Sequence, residues 1–205
     1  VGDDRRRGPT ARREPSSALI AGVVLAAGEA SRFGATKQLV PLDGRPLVLH
    51  AVQTLLEAGL APVVVVTGHD AERVEAVLPP DARAVRNERF RDGQASSLAA
   101  GLDALGPDVA GAVVLLADQP GVRPDEVRRL VERFRGRPAP IVRLVYRDGP
   151  GPALLARSVF EAVHELRGDV GARALIEAHP TWVRTVSVDR AAPRDVDRPE
   201  DLPRP

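Results

Sequence analysis

Residues 18–39 read ALIAGVVLAAGEASRFGATKQL, and this stretch decides the fold. Ala18–Leu25 is a continuous apolar run of strand length, far short of the roughly 20 residues of a membrane span. Small residues follow at Ala26, Ala27 and Gly28, where backbone N–H groups can approach a ligand closely. Working outward, strand-type runs recur at Pro62–Thr67, Ala112–Ala117 and Pro140–Val145, with weaker ones at Ala82–Val85 and Trp182–Val188. Between them, apolar residues at helical spacing predict helices over Pro46–Ala58, Ala71–Leu78, Ala95–Leu105, Pro124–Phe134, Arg157–Arg167 and Val170–His179. A short turn is expected at Pro199–Leu202. Unbroken Val/Leu strands separated by amphipathic helices predict an α/β domain with a mostly parallel sheet covered on both faces. In such sheets ligands bind at the C-terminal strand edge.

The composition narrows the function. The chain has 205 residues, 43% of them hydrophobic, enough to bury the core of one domain. Residues 1–17 are charged and poor in large apolar side chains, so they read as a disordered tail ahead of a single domain over 18–205. With 29 Lys+Arg against 28 Asp+Glu the net charge is +1, which advertises neither a nucleic acid nor an anionic membrane as partner. Aromatics at 3% argue against base-stacking platforms. The absence of Cys excludes disulfides, thiolate metal sites and a cysteine nucleophile. No signal-peptide h-region is seen, so a cytoplasmic location is expected. The chain begins at Val1 and contains no Met, as a fragment or a literally translated alternative start codon would. Lys37 is the only lysine among 29 basic residues, which suggests a crowded anion site where a planar guanidinium does not substitute.

Candidate chemistry lies at the strand ends. The loop amides after Leu25, with Arg32 and Lys37, form a plausible triphosphate cradle. Neither Gly-Lys-Ser/Thr nor the G-x-G-x-x-G spacing is present, so this is neither a Walker A loop nor a dinucleotide fingerprint. Asp118, in Ala117-Asp118-Gln119-Pro120, follows a buried strand; a hard oxygen ligand there suits Mg²⁺, and an ordinary turn before Pro fits equally. Asp195 and Asp197 alternate along an extended segment and offer a second metal contact, or a solvated acidic tail. Asp92-Gly93-Gln94-Ala95-Ser96-Ser97-Leu98 leads into a helix and can bind base, ribose or phosphate, or simply cap that helix. Gly168-Asp169-Val170-Gly171-Ala172-Arg173 is a tight turn with an Arg one turn inside, suited to an acceptor phosphate or to no ligand. His50, His69, His164 and His179 show no close metal-ligand spacing.

In this order the segments LAAGEASRFGATKQLVPLDGRPLV, Asn87…DGQASSL, VVLLADQP, GDVGARALI and DVDRPEDL resemble the MobA-like nucleotidyltransferase family, most closely the molybdenum cofactor cytidylyltransferases. The resemblance covers roughly residues 20–203. It implies a three-layer α/β/α architecture of the Rossmann-like nucleotide-diphospho-sugar transferase fold. It also implies Mg²⁺-dependent transfer of CMP from CTP to a pterin-phosphate acceptor, the molybdopterin-bound cofactor, with a molybdoenzyme or its chaperone receiving the product. Carried over by position, the Leu25, Ala26, Ala27 and Gly28 backbone holds the nucleotide, with Arg32 and Lys37 on the triphosphate. Thr67, Gly68, Asn87, Ser96 and Ser97 lie near base and ribose. Asp118 holds the metal with Asp197, and Gly168, Asp169, Gly171 and Arg173 face the acceptor. LAAG resembles the CTP users, whereas LAGG resembles the GTP users. The family's Gly-His-Pro on the acceptor side is replaced by Gly149-Pro150-Gly151-Pro152, without the His. Guanylyl transfer to the same cofactor, cytidylyl transfer to another phosphate, and a non-catalytic carrier of nucleotide or cofactor are the alternatives.

Overall fold

The computed structural model of the chain describes residues 18–29, 36–196 and 198–201. Arg32, Asp197 and the expected tail over 1–17 lie outside the described residues. The elements run β1 (Leu19–Leu25), β2 (Pro41–Leu42), β3 (Arg45–Pro46), α1 (Leu47–Glu57), β4 (Val63–Thr67), α2 (Ala71–Glu75), β5 (Ala82–Arg86), α3 (Gln94–Asp103), β6 (Val109–Leu116), α4 (Pro124–Gly136), β7 (Ile141–Tyr146), β8 (Gly149–Ala156), α5 (Phe160–Val163), α6 (Ala172–Ala178) and β9 (Val183–Ser187). Seven strands form one sheet in the order β5-β4-β1-β6-β8-β7-β9, and β2 and β3 make a small hairpin. All pairs in the large sheet are parallel except those of β8 with β6 and β7.

Strand alternation divides the core in two. Ile20, Val24, Val63, Val65, Val113, Leu115 and Leu154 face α1 and α4. Val23, Val64, Val66, Ala112, Val114, Ile141 and Leu155 face α3, α5 and α6. The result is the three-layer α/β/α architecture. Both faces of β1, β4 and β6 are covered, which explains why these strands read as unbroken apolar runs. No helix of the described residues is long and apolar enough to cross a membrane.

The chain leaves β1 for β4 on one side, then returns through α3 to place β6 on the other side of β1. The winding direction reverses between β1 and β6, the place where open α/β sheets form a crevice beyond the C-terminal strand ends. Register holds those ends together: Leu25 pairs with Leu116, and the Ala117 N–H donates to the Leu25 carbonyl at 3.1 Å.

Some expectations are corrected. The segment around Gly149-Pro150-Gly151-Pro152 is part of a strand, β8, inserted antiparallel between β6 and β7. Its prolines are tolerated because β6 pairs only with Ala153–Ala156, and the Pro stretch meets β7 across a register shift. The helix expected over Arg157–Arg167 is a 3₁₀ turn, Arg157–Val159, followed by the single turn of α5. The expected helix over Val170–His179 starts only at Ala172, after Gly168 turns the chain at φ +74°. The expected Ala71–Leu78 helix ends at Glu75.

Candidate active site

The crevice is floored by the loop after β1. The carbonyls of Ala26, Ala27 and Gly28 are taken by the protein. The buried side chain of Gln38 donates from Nε2 to the Ala26 carbonyl at 3.0 Å and the Gly28 carbonyl at 2.9 Å. The His69 N–H donates to the Ala27 carbonyl at 3.1 Å. A trans peptide points its N–H opposite its carbonyl. The N–H groups of Ala27, Gly28 and Glu29 therefore point away from these three contacts. Among the described residues none accepts a hydrogen bond from them. Backbone amides that no described residue engages can attract an anion. Gly28 is open on the outer side, with nothing within 4 Å of where a Cβ would lie.

Lys37 follows in a 3₁₀ turn, Lys37–Leu39. Its Nζ reaches across to Asp118 Oδ2 at 3.0 Å, joining the loop after β1 to the loop after β6. Thr36, just before it, donates from Oγ1 to Asp70 Oδ2, and Arg73 reaches both groups at 3.1 and 3.3 Å. The Thr36 hydrogen bond, with the His69 and Arg73 charges, holds the Asp70 carboxyl below the usual carboxylate range. The residue that carries the ammonium is thus anchored on both sides, by Thr36 and by Gln38.

Asp118 is the candidate metal ligand. Its Oδ2 meets Lys37, while its Oδ1 is shut off from water with no hydrogen-bond partner among the described residues, although the side chain as a whole is 32% exposed. A carboxylate oxygen so placed is costly unless a cation or donor completes it. A hard divalent cation fits that oxygen. The C-terminal segment comes to the same place. The Val196 N–H donates to the Asp118 carbonyl at 2.9 Å, and Gln119 Nε2 donates to Asp195 Oδ1 at 2.7 Å. The Asp195-Val196 pair is therefore held against the β6 end, and Asp197, the expected second ligand, lies outside the described residues. Among the described residues no group of three or more His, Asp or Glu side chains is arranged for a metal.

Beside the β1 loop, Gly68 packs so tightly that a Cβ there would lie 2.8 Å from Phe90 Cγ and 2.9 Å from Ala27 Cβ. Thr67 is fully buried and turns its hydroxyl to Glu75 at 2.9 Å, away from the crevice. Leu25 likewise puts its side chain in the core. Asn87 donates to Ser96 Oγ at 2.8 Å and Ser97 Oγ at 3.0 Å, and its Oδ1 accepts the Arg89 N–H at 3.0 Å. This network ties the start of α3 to the end of β5. On the far side, the Ala95 N–H donates to the Gly168 carbonyl at 3.2 Å. Gly93 has φ +97°, and a Cβ there would stand 2.2 Å from the Gly168 carbonyl carbon. Gly171 lies against the Gln94 side chain, whose Oε1 a Cβ would meet at 2.2 Å. The segments expected to meet nucleotide and acceptor are interlocked backbone to backbone. Asp169 is exposed, and Arg173 is exposed and paired with Glu177 at 2.7 Å.

Sequence reasoning missed Gln38, which gave no periodic or motif signal beyond its place next to Lys37. It also left His69 among the structural histidines, although its backbone N–H helps shape the loop. The side chain of His69 stands 3.9 Å from both Glu29 and Asp70 at the rim of the site.

Known proteins are similar to this chain in sequence and in fold. The MobA-like NTP transferase domain matches residues 22–183. Nicotine blue oxidoreductase of Paenarthrobacter nicotinovorans is 35% identical over 196 residues, covering 89% of this chain and 94% of its own. A crystal structure of Rv0371c from Mycobacterium tuberculosis H37Rv superposes with a TM-score of 0.81 at 32% identity, covering 90% of this chain and 95% of that one. A second crystal structure of the Mycobacterium tuberculosis protein, in complex with manganese, gives a TM-score of 0.76 at 31% identity, again covering 90% and 95%. Sheet order, crevice and family match agree: this chain belongs to the MobA-like NTP transferases and is a nucleotidyltransferase.

Proposed function

We propose that the chain transfers CMP from CTP to the phosphate of molybdopterin-bound molybdenum cofactor, releasing pyrophosphate, with Mg²⁺ as cofactor. The observation that carries this reading is the Lys37–Asp118 contact at 3.0 Å, with Asp118 Oδ1 left buried and unpaired beside an amide-presenting loop. In this reading the Ala26–Gly28 backbone, Lys37 and Arg32 hold the triphosphate. Asp118 and Asp197 hold the metal. Gly68, Asn87, Ser96 and Ser97, with the Thr67 backbone, border base and ribose. Gly168, Asp169, Gly171 and Arg173 face the acceptor. Manganese in a relative supports a divalent cation at this site.

The reaction needs alignment and charge stabilisation rather than a protein nucleophile. An acceptor phosphate oxygen attacks the α-phosphorus, the α–β anhydride bond breaks, and pyrophosphate leaves with the bonding pair. The loop amides fix the phosphates in line, and the Lys37 ammonium offsets charge on the departing group. A bound Mg²⁺ supplies further charge neutralisation on the phosphate oxygens. The choice of CTP is supported by Ala27. Its methyl is buried against Gly68 and so acts on the base by setting the loop's path. Such differences are worth about 1–3 kcal/mol in discrimination.

The test is transfer of label from α-labelled CTP or GTP to molybdopterin-bound cofactor in the presence of Mg²⁺. Labelled pterin product from CTP is expected. Product from GTP alone would overturn the base, and pyrophosphate release only with another phosphate acceptor would overturn the pterin. The relative named nicotine blue oxidoreductase favours one second reading, an oxidoreductase. Reduction of nicotine blue by a nicotinamide cofactor would support it; the absence of a dinucleotide fingerprint weighs against it.

A further inference from the structure

We propose that Gln38 is a positioning residue that sets the electrical polarity of the β1 loop and so governs its affinity for polyphosphate. The inference rests on the nucleotidyl-transfer reading above and adds to it the residue that makes the loop an anion site. Three features lead to it. First, Gln38 uses both amide hydrogens on one loop, on the Ala26 and Gly28 carbonyls. Those two contacts fix the amide's orientation, because the flipped amide would set oxygen against two carbonyls. Second, the peptides whose carbonyls Gln38 holds have their N–H groups, those of Ala27 and Glu29, on the side away from it. Without Gln38, either peptide can rotate and turn a carbonyl toward the bound phosphates. Third, Gln38 is only 7% exposed and its Oε1 is buried with no partner among the described residues.

Packing alone would be served by an apolar side chain with no buried acceptor left over; the amide is kept by the two loop carbonyls that it holds. Departures from polar satisfaction of this kind are expected where function requires them. Gln38 touches no reacting atom in this account; it acts through the loop.

The test compares Gln38→Met, which keeps the shape and loses the donors, with Gln38→Glu, whose ionised carboxylate cannot donate to carbonyls. Binding of CTP and of inorganic pyrophosphate is measured by calorimetry with Mn²⁺, alongside the melting temperature of the ligand-free protein. Loss of a supporting hydrogen bond of this kind weakens a site about 10- to 100-fold by analogy with other buried supporting shells. Gln38→Met is expected to weaken both ligands by that factor, more than any fall in melting temperature from the two carbonyls left unpaired accounts for. Gln38→Glu is expected to weaken them further. Wild-type affinity in Gln38→Met, or weakened affinity only in step with a lowered melting temperature, overturns the positioning role and leaves the nucleotidyl-transfer reading standing. Failure of wild-type protein to bind either ligand overturns both.

Discussion

Lys37 and Asp118 come from loops 81 residues apart in sequence and meet at 3.0 Å. Both were legible in the sequence, Lys37 as the sole lysine in an arginine-rich chain and Asp118 as a carboxylate just past a buried strand. Gln38 was not legible, because its importance comes from two backbone carbonyls that only the folded loop presents to it. At this scale the account makes two predictions. Lys37→Ala should lower turnover at least about 100-fold, as loss of a transition-state charge partner does. Its folding free energy should stay within about 1 kcal/mol, because the ion pair is partly solvated. Pyrophosphate release and chemical denaturation check both halves. Asp118→Asn should abolish tight Mn²⁺ binding seen by electron paramagnetic resonance; unchanged binding would remove Asp118 from the metal site.

Two joints between elements hold the crevice. One is the contact of Gly93, before α3, with the Gly168–Asp169 backbone. Gly93→Ala meets both a left-handed φ of +97° and a clash with backbone that cannot swing aside. It should lower stability by about 2–4 kcal/mol and pull the Gly168–Gly171 turn off α3, seen as faster hydrogen exchange at Ala95. The other is a buried clamp. Glu126 on α4 is 2% exposed and accepts from Arg190 Nε at 2.7 Å, from Arg190 Nη2 at 2.8 Å and from Tyr146 Oη at 2.9 Å. Arg190 also donates to the Gly121 carbonyl at 2.8 Å, and so ties the segment leading to Asp195 onto the β6–α4 loop. Burial alone would raise the Glu126 pKa, but the Arg190, Arg123 N–H and Tyr146 hydrogen bonds outweigh it and leave the pKa below its ordinary 4.5. A depressed folded pKa stabilises above the unfolded value, and that stabilisation is lost as pH falls through the folded one. Glu126→Gln should therefore cost about 3 kcal/mol at neutral pH, with the gap to wild type narrowing below about pH 4.5. A gap that stays constant in urea titrations down to pH 3 would contradict the clamp. Elements with a clean period, such as β1, β4, β6 and α4, were readable. β8 was not, because Gly and Pro hide a strand whose pairing with β6 begins only at Ala153.

For the molecule as a whole, topology places the chemistry. The sequence pattern was sufficient for an α/β sheet covered on both faces and for ligands at its C-terminal edge. The position of the crevice was not readable, since it depends on β6 returning beside β1 and on β8 being inserted out of order. With those in place, the amide loop, Lys37 and Asp118 converge at the point where the winding reverses. Taken together, these groups form a site for a nucleoside triphosphate with a divalent cation, as proposed above. The most direct test is thermal denaturation with CTP, GTP, ATP and UTP, each with and without Mg²⁺, for wild type and Lys37→Ala. A ligand at a hundredfold excess over its Kd stabilises the native state by about 2.7 kcal/mol, several degrees for a chain of this size. The account predicts a Mg²⁺-dependent rise, largest with CTP, in wild type and little or none in Lys37→Ala. No rise with any nucleotide, or an equal rise in the variant, would contradict it.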